Sequence, residues 1–369
     1  MARLIAARRT AVVPRGGAFA RLSLEELAAP VLQACLADAG IAASQVDEVI
    51  LANALGAGGN PARRVALAAG LPETVAGLTT DRQCAGGLDA VLLAKALVDS
   101  GAADVVLAGG VESFSRRPLR LRTDPDGGRP VPYEQAPFTP WPERDPDMTA
   151  AAAVLARRLA IPRERQEAWA AQSHAKALAA ELAAELATDP AADWAAEIVP
   201  LNGIARDAFP RNLSPRLLAR APVLTGSITA ATAAVAADAA AVCLVVSDRI
   251  AQGRGLALLA GATLGGTPDE PGLAPVAAIR RIWDGSPLQQ AEIMEAYAVQ
   301  ALAVIDAAAL DSGIVNPAGG GLARGHPIGA SGAILAVRLF HGLRRGRGIA
   351  AIAAAGGIGT ALLVEASAA

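Results

Sequence analysis

The stretch from Leu24 to Ala39 has the hydrophobic and polar pattern of an amphipathic helix, with Ser23 as its N-cap and Glu25 and Glu26 at its positive end. Val46 to Ala52 reads as a strand, and Pro61 to Ala69 as a short helix closed by Gly70. A second strand leads to Cys84, a helix follows and ends near Gly101, and Asp104 to Gly110 reads as a buried strand ending in two glycines. Strands alternating with helices imply a mostly parallel, layered α/β core.

The pattern breaks after Ser115. Arg116 to Asp147 is rich in Pro, Arg and Asp with little periodicity and reads as a long irregular insertion. Ala150 to Ala187 is predicted helical, broken at Pro162, and Arg206 to Pro222 irregular again. Ile228 to Val246 predicts an alanine-rich helix running into a strand over Ala241 to Val246, and Glu292 to Ala309 predicts a helix. Gly325 to Leu343 is a glycine loop followed by a helix, as around Cys84. Gly348 to Gly357 is a strand ending in a glycine pair, as at Gly109 and Gly110. Two halves with the same order of elements suggest a duplicated α/β unit.

Composition narrows the picture. With 369 residues the chain can build two or three cores. Hydrophobic residues make up 53%, many of them alanine, and aromatics only 3%, which favours close helix–helix and helix–sheet approach. No apolar run has membrane-span length with suitable flanks, and the basic start is too short for a secretory signal. A net charge of −2 argues against a nucleic-acid footprint, and Arg344, Arg345 and Arg347 read as a solvated helix end rather than a phosphate site. Cys35, Cys84 and Cys243 lie far apart without metal-ligand spacing, so no metal site is expected and a reducing cytoplasm is.

Candidate chemistry falls on two motifs. Cys84 lies where an apolar run enters a helix through Gly86 and Gly87; a helix N-terminus favours thiolate, and the glycines let a carbonyl approach. By local sequence alone, nucleophile and ordinary buried thiol stand level, whereas Cys35 and Cys243 read as core. His326 precedes Pro327 in a glycine-rich loop, where a histidine either takes a proton from a thiol or is satisfied by backbone. Gly356, Gly357 and Gly359 follow a buried strand, a turn suited to an oxyanion hole or a phosphate. No Gly-x-Gly-x-x-Gly or Walker lysine motif points to a nucleotide.

Together these segments resemble the thiolases, which cleave or form 3-ketoacyl thioesters of coenzyme A, over nearly the whole chain. Asn60 to Arg63 with Gly70 to Thr74 resembles the segment before the family's nucleophile, and Asp81 to Val91 resembles the nucleophile segment itself. Ala108 to Ser113 resembles its Gly-Gly-x-Glu motif, and Gly319 to Gly332 its histidine motif. The resemblance implies an α/β fold with a duplicated unit in five layers, α-β-α-β-α. Residues 1–115 with 226–248 would form the first half, 116–225 an inserted loop domain, and 249–369 the second half. It implies Cys84 as the acylated nucleophile and His326 as its activator, with the amides of Cys84 and Ala355 as an oxyanion hole. Acyl-CoA is then a substrate rather than a bound cofactor; coenzyme-binding residues are unassigned, and a homodimer or homotetramer is expected.

Three positions depart from the family pattern. Met294 stands where Asn-Glu-Ala-Phe has its asparagine, Ala353 replaces the second catalytic cysteine, and Ala234 falls in the Gly-Asn-Ala-Ser stretch that contacts the pantetheine arm. Methionine has no N–H to donate. Loss of one oxyanion donor costs about 10²–10³ in rate, and loss of a general acid–base about 10²–10⁴. Acylation of Cys84 is therefore expected to outlast carbon–carbon chemistry, with Glu295, Tyr297 or a water as stand-ins. Three readings follow: a thiolase-type acyltransferase with a variant proton relay, an acyl-enzyme former using another acceptor or water, and a weakly active or non-catalytic subunit.

Overall fold

The computed structural model describes residues 1–186 and 194–366, so Ala187, at the end of the predicted helical stretch, and 367–369, at the end of the second half, lie outside the described residues. The principal strands are β1 (Ala2–Arg9), β2 (Glu48–Ala52), β3 (Ala76–Thr80), β4 (Val105–Ser113), β5 (Ala237–Ser247), β6 (Leu256–Gly265), β7 (Leu288–Ile293), β8 (Gly346–Ala354) and β9 (Ile358–Ala366). The principal helices are α1 (Leu24–Ala39), α2 (Pro61–Ala68), α3 (Gly86–Asp99), α4 (Met148–Arg158), α5 (Arg163–Glu185), α6 (Ala274–Ile282), α7 (Ala298–Ala308) and α8 (Ile328–Gly342). The cap of α1 is as predicted: Ser23 accepts from the Glu26 amide, Glu26 returns a bond to the Ser23 amide, and Gly40 closes the helix in the left-handed region.

The strands run in the order β7-β8-β9-β6-β1-β5-β4-β2-β3. β1 meets β6 only at Arg3–Ala257 and Leu4–Leu256, so the sheet divides there into two halves. Helices α3 and α8 pack against each other and against strands of both halves. Their apolar faces form a central core that includes Leu88, Val91, Ile334 and Val337. A second core lies under α1 and α2 on the far side of the first half, and a third under α6 and α7 on the far side of the second. The result is the five-layered α-β-α-β-α arrangement that the resemblance implied.

Three expectations are corrected. The sheet is mixed: β3–β2–β4 and β7–β8 are parallel, but β1, β5 and β4 pair antiparallel, as do β8, β9 and β6. The chain re-enters the first half from the opposite end after its long excursion through 114–236, and β8 turns straight into β9. The strand expected over Ala241 to Val246 is present within β5, but the alanine-rich helix expected before it does not form: Ile228–Thr229 is a short strand and β5 already begins at Ala237. β5 is covered by α1 on one face and by α3 and α8 on the other, and small side chains let those layers close on it. Tertiary packing thus overrides alanine's helix propensity. Finally, Glu292 and Ile293 end strand β7, and the helix begins only at Ala298.

The expected irregular stretches hold short elements: a hairpin of Arg120–Arg122 with Val131–Tyr133, and a helix at Pro215–Arg220. Helices α4 and α5 from the inserted region pack on α7. They bring the inserted region to the end of the sandwich where β4, β8 and α3 present the candidate site.

Candidate active site

Cys84 sits in a short 3₁₀ turn, Gln83–Ala85, immediately before α3. Gln83 takes a left-handed φ of 47°, and its amide is held by Asp81 Oδ1 at 2.9 Å. That conformation costs a non-glycine residue about 1–2 kcal/mol, here offset by the Asp81 bond. The loop of His326 lies along the approach to β5: the His326 amide donates to Val235 O at 2.7 Å, and Gly325 before it has φ 116°. The helices that follow Cys84 and His326 cross at contact distance. A Cβ on Gly87 would lie 2.7 Å from the Ala333 amide, and one on Gly332 would lie 2.4 Å from that of Leu88. Bulkier residues at these positions would force apart the helices that follow the two candidate residues.

The structure brings that pair together, with Cys84 Sγ 3.0 Å from His326 Nε2. The other ring nitrogen, Nδ1, lies 2.7 Å from Ser331 Oγ, which donates its own hydrogen to Pro327 O at 3.1 Å. With the serine hydrogen spent on a carbonyl, Nδ1 is the donor to Ser331, so Nε2 carries the lone pair and faces the thiol. Burial pushes the Cys84 thiol up to about 12; its own amide opposes the rise, and Glu112 and Asp81 add to it. Burial also pushes His326 down to about 4. This corrects the expectation of a thiolate stabilised by the helix start: desolvation outweighs the amides, and the resting pair is a neutral thiol on a neutral imidazole.

Glu112, from the Gly-Gly-x-Glu segment, braces the site. Its carboxyl accepts from Asn53 Nδ2 at 2.9 Å, from the Ala54 and Leu55 amides at 3.0 and 3.2 Å, and from the Gly329 amide at 2.9 Å. It thereby ties the end of β2 to the start of α8. Burial outweighs these bonds and pushes its pKa up to about 7.

Cys84 and His326 open into a cavity of about 400 Å³, within the range of about 300–1,000 Å³ usual for small-molecule sites. Ala234, Ala353 and Ala355 line it, so two of the three altered positions and the second expected oxyanion amide border the reacting pair. Met294 does not: it is buried in the central core, its methyl against Gly321. Glu295 is also turned away and fully engaged. It accepts from Trp169 Nε1 at 3.0 Å, Ser173 Oγ at 2.7 Å, Asn316 Nδ2 at 2.8 Å and the Leu322 amide at 3.1 Å. Of the two side chains named as stand-ins, only Tyr297 lines the cavity, its hydroxyl 3.0 Å from Thr149 Oγ1. Burial raises its pKa, which keeps the phenol neutral. Phe138 borders the cavity, whereas Trp141 lies half-exposed under the Arg144 guanidinium.

Sequence reasoning assigned no role to Ser331, Glu112, Thr149 or Gln300. For Ser331 a signal existed: it falls one helical turn beyond Pro327. Also unforeseen was a buried charge network. Asp207 pairs with Arg9 Nη1 at 2.6 Å and with Arg324 Nε at 3.0 Å, and Glu197 pairs with Arg9 Nε at 2.5 Å and with Arg338. Arg324 lies two residues before His326 and also donates to Ala318 O and Gly319 O, both at 2.5 Å. Among the described residues no cluster of three or more His, Cys, Asp or Glu is arranged to hold a metal, and no helix is long and apolar enough to cross a membrane.

Comparison with known proteins agrees with this architecture. The N-terminal domain model of the thiolases matches residues 2–249, and the C-terminal domain model matches residues 256–366. The chain belongs to the thiolase family, a family of acyltransferase enzymes. It is 37% identical to the putative acetyl-CoA C-acetyltransferase YhfS of Bacillus subtilis (strain 168), and 33% identical to VraB of Staphylococcus aureus (strain MRSA252), which carries the same putative activity; each alignment covers 98% of both chains. The crystal structure of the Bacillus anthracis acetyl-CoA acetyltransferase superposes with a TM-score of 0.88 at 33% identity, covering 99% of this chain and 98% of that one. The Acat5 thiolase of Ascaris suum, solved with coenzyme A, gives 0.87 at 27% identity, with 99% of both chains covered.

Proposed function

We propose that the protein is a coenzyme A-dependent acyltransferase of thiolase type that works through an acyl-Cys84 intermediate with an altered proton relay. The observation that carries this reading is the 3.0 Å contact between Cys84 Sγ and an unprotonated His326 Nε2 at the head of the cavity. As Sγ attacks the thioester carbonyl, its proton passes to Nε2. The negative charge moves onto the carbonyl oxygen, for which the amides of Cys84 and Ala355 serve as the oxyanion hole in this reading. When the carbon–sulfur bond to coenzyme A breaks, the leaving thiolate takes the proton back from His326. Acyl-Cys84 and free coenzyme A remain. Arg117 and Arg120 line the same cavity and are cations suited to a phosphorylated leaving group.

The second half-reaction differs from the family pattern. Joining the acyl group to the α-carbon of another thioester requires a base for the α-proton, and Ala353 offers none. That favours a second reading, in which acyl-Cys84 passes its group to another acceptor or to water. We take acyl-CoA to be a substrate rather than a resident cofactor, the working form to be a homodimer or homotetramer, and the compartment to be the cytoplasm.

The test is intact-protein mass spectrometry after incubation with acetyl-CoA and longer acyl-CoAs, comparing wild type with Cys84→Ala. A Cys84-dependent acyl adduct is expected. A folded protein with a reactive thiol and no adduct from any acyl-CoA would overturn the reading.

A further inference from the structure

Acyl-Cys84 is discharged by a nucleophile whose proton some group in the cavity must take. Four carboxyls line the cavity, and each is engaged. Glu134 is paired with Arg117, Asp269 with Arg144 at 3.0 Å, and Glu270 with Arg158 at 3.0 Å. Asp147 caps α4, accepting from the Thr149 and Ala150 amides at 2.9 and 3.0 Å. Among the described residues, that leaves His326 Nε2 as the base facing the reacting sulfur. A carbon-bound α-hydrogen needs a base of its own within hydrogen-bond reach, and Ala353 offers only a methyl group. An O–H nucleophile needs no second base, because it hands its proton to His326 as it attacks.

Tyr297 supplies a place for such a nucleophile. Its hydroxyl lies 3.0 Å from Thr149 Oγ1, and neither oxygen has a further hydrogen-bond partner among the described residues. Two hydroxyls carry two hydrogens, and their mutual bond uses one. The pair therefore keeps a hydrogen and lone pairs for a third group, and Tyr297 is the member that lines the cavity. Ala233 pairs with Tyr297 and Ala236 with His326, so one short stretch of chain holds both residues, with Ala234 between them in the cavity wall. Burial, Asp147 and the Cys84 thiol raise the phenol's pKa, which keeps its hydrogen in place. An ordered water needs about 2–4 polar partners. Tyr297 Oη and His326 Nε2 provide two, in a wall that is apolar at Ala234, Ala353 and Phe138.

We infer that the acceptor for acyl-Cys84 is water, seated between Tyr297 and His326, so that the protein is a thioester hydrolase. The water oxygen bonds to the acyl carbon while its proton passes to His326 Nε2. The carbon–Sγ bond then breaks and Sγ takes that proton back, leaving a carboxylic acid and the Cys84 thiol.

The inference rests on the acyl-Cys84 reading, and the two fail differently. Protein is acylated with whichever of acetyl-CoA and butanoyl-CoA gives the fuller adduct, freed of excess thioester by rapid gel filtration and placed in water labelled with heavy oxygen. Intact-protein mass spectrometry then follows the adduct. Its loss should be at least about 10²-fold faster than from the same acylated chain unfolded in urea, the low end of what a positioned base contributes. The carboxylate released should carry heavy oxygen. Tyr297→Phe, with folding checked by circular dichroism, should lower the ratio of the loss rate to the acylation rate by about tenfold, the factor given by one hydrogen bond worth about 1.4 kcal/mol. An adduct that lasts as long as in the unfolded chain, or that leaves only when a second thioester or an amine is added, would overturn the inference and leave the acyl-Cys84 reading standing. An unchanged ratio in folded Tyr297→Phe would also overturn it. If wild type forms no adduct with any acyl-CoA, the acyl-Cys84 reading falls and this inference with it.

Discussion

Ser331 Oγ lies 2.7 Å from His326 Nδ1 while donating to Pro327 O, and this pair of bonds fixes which imidazole nitrogen faces Cys84. Ser331 does not touch the cavity; it acts through the ring. Ser331→Ala removes the acceptor for Nδ1–H and frees the imidazole to rotate or change tautomer. Acylation of Cys84 should slow by about 10–100-fold, the range expected when a reacting group is misplaced by about 1 Å. Stability should change little, and Ser331→Thr should recover most of the rate. Stopped-time mass spectrometry of the adduct measures all three proteins.

The neutral resting pair has a pH signature. With the thiol pushed up to about 12, the thiolate fraction rises tenfold per pH unit well beyond neutrality. Alkylation of Cys84 by iodoacetamide should climb with that slope from pH 7 to 10 without a plateau; a plateau below pH 8 would show a preformed thiolate. Thioester acylation should instead stay level from about pH 6 to 9, because the proton moves within the pair and His326, at about 4, is already a free base. The imidazole's folded pKa is below its unfolded value. Its contribution to stability is therefore complete above about pH 6.5 and declines as pH falls toward about 4.

The motifs that carry this chemistry were legible in the sequence because they are local: a cysteine entering a helix through glycines, and a histidine before proline. Their approach was legible only through the family resemblance and not from the local pattern, since it depends on Gly87 and Gly332 letting two helices from opposite halves meet. The alanine-rich stretch before Ser247 misled because alanine's intrinsic helix preference is overruled when small side chains are needed between two helical layers. The thiol's ionisation misled similarly: sequence shows the helix start but not the burial that outweighs it. Partners such as Ser173 and Asn316 around Glu295 are distant in the chain, and no local pattern announces them.

Two of the altered positions should respond oppositely to restoration. Ala353 borders the reacting pair, so Ala353→Cys places a thiol in the cavity. If acid–base chemistry limits the carbon–carbon step, that step should rise by about 10²–10⁴ while the rate of Cys84 acylation stays the same. Met294 is packed in the central core against Gly321. Met294→Asn should add little activity and cost about 1–3 kcal/mol, because its amide would be buried among apolar groups. Acetoacetyl-CoA formation and cleavage assays, with urea unfolding of both variants, separate the two cases.

The charge network behind the histidine loop links stability to the site. Burial alone would raise the carboxyl of Asp207, but the guanidiniums of Arg9 and Arg324 outweigh it and hold the carboxyl below its usual range. Glu197 is likewise held well below its usual range by Arg338 and Arg9, again against burial. Both folded values lie below the unfolded ones, so this stabilisation is present above the ordinary carboxylate range and is lost as pH falls below about 4. Asp207→Asn leaves Arg9 and Arg324 facing a neutral amide. Breaking a buried pair in this way costs about 3–5 kcal/mol, measurable as a lower urea midpoint at pH 7. The difference from wild type should narrow in acid as Asp207 itself becomes protonated. Because Arg324 also holds the Ala318 and Gly319 carbonyls just before His326, the folded fraction of the variant should acylate Cys84 more slowly. Normal acylation with lowered stability would confine the network to folding.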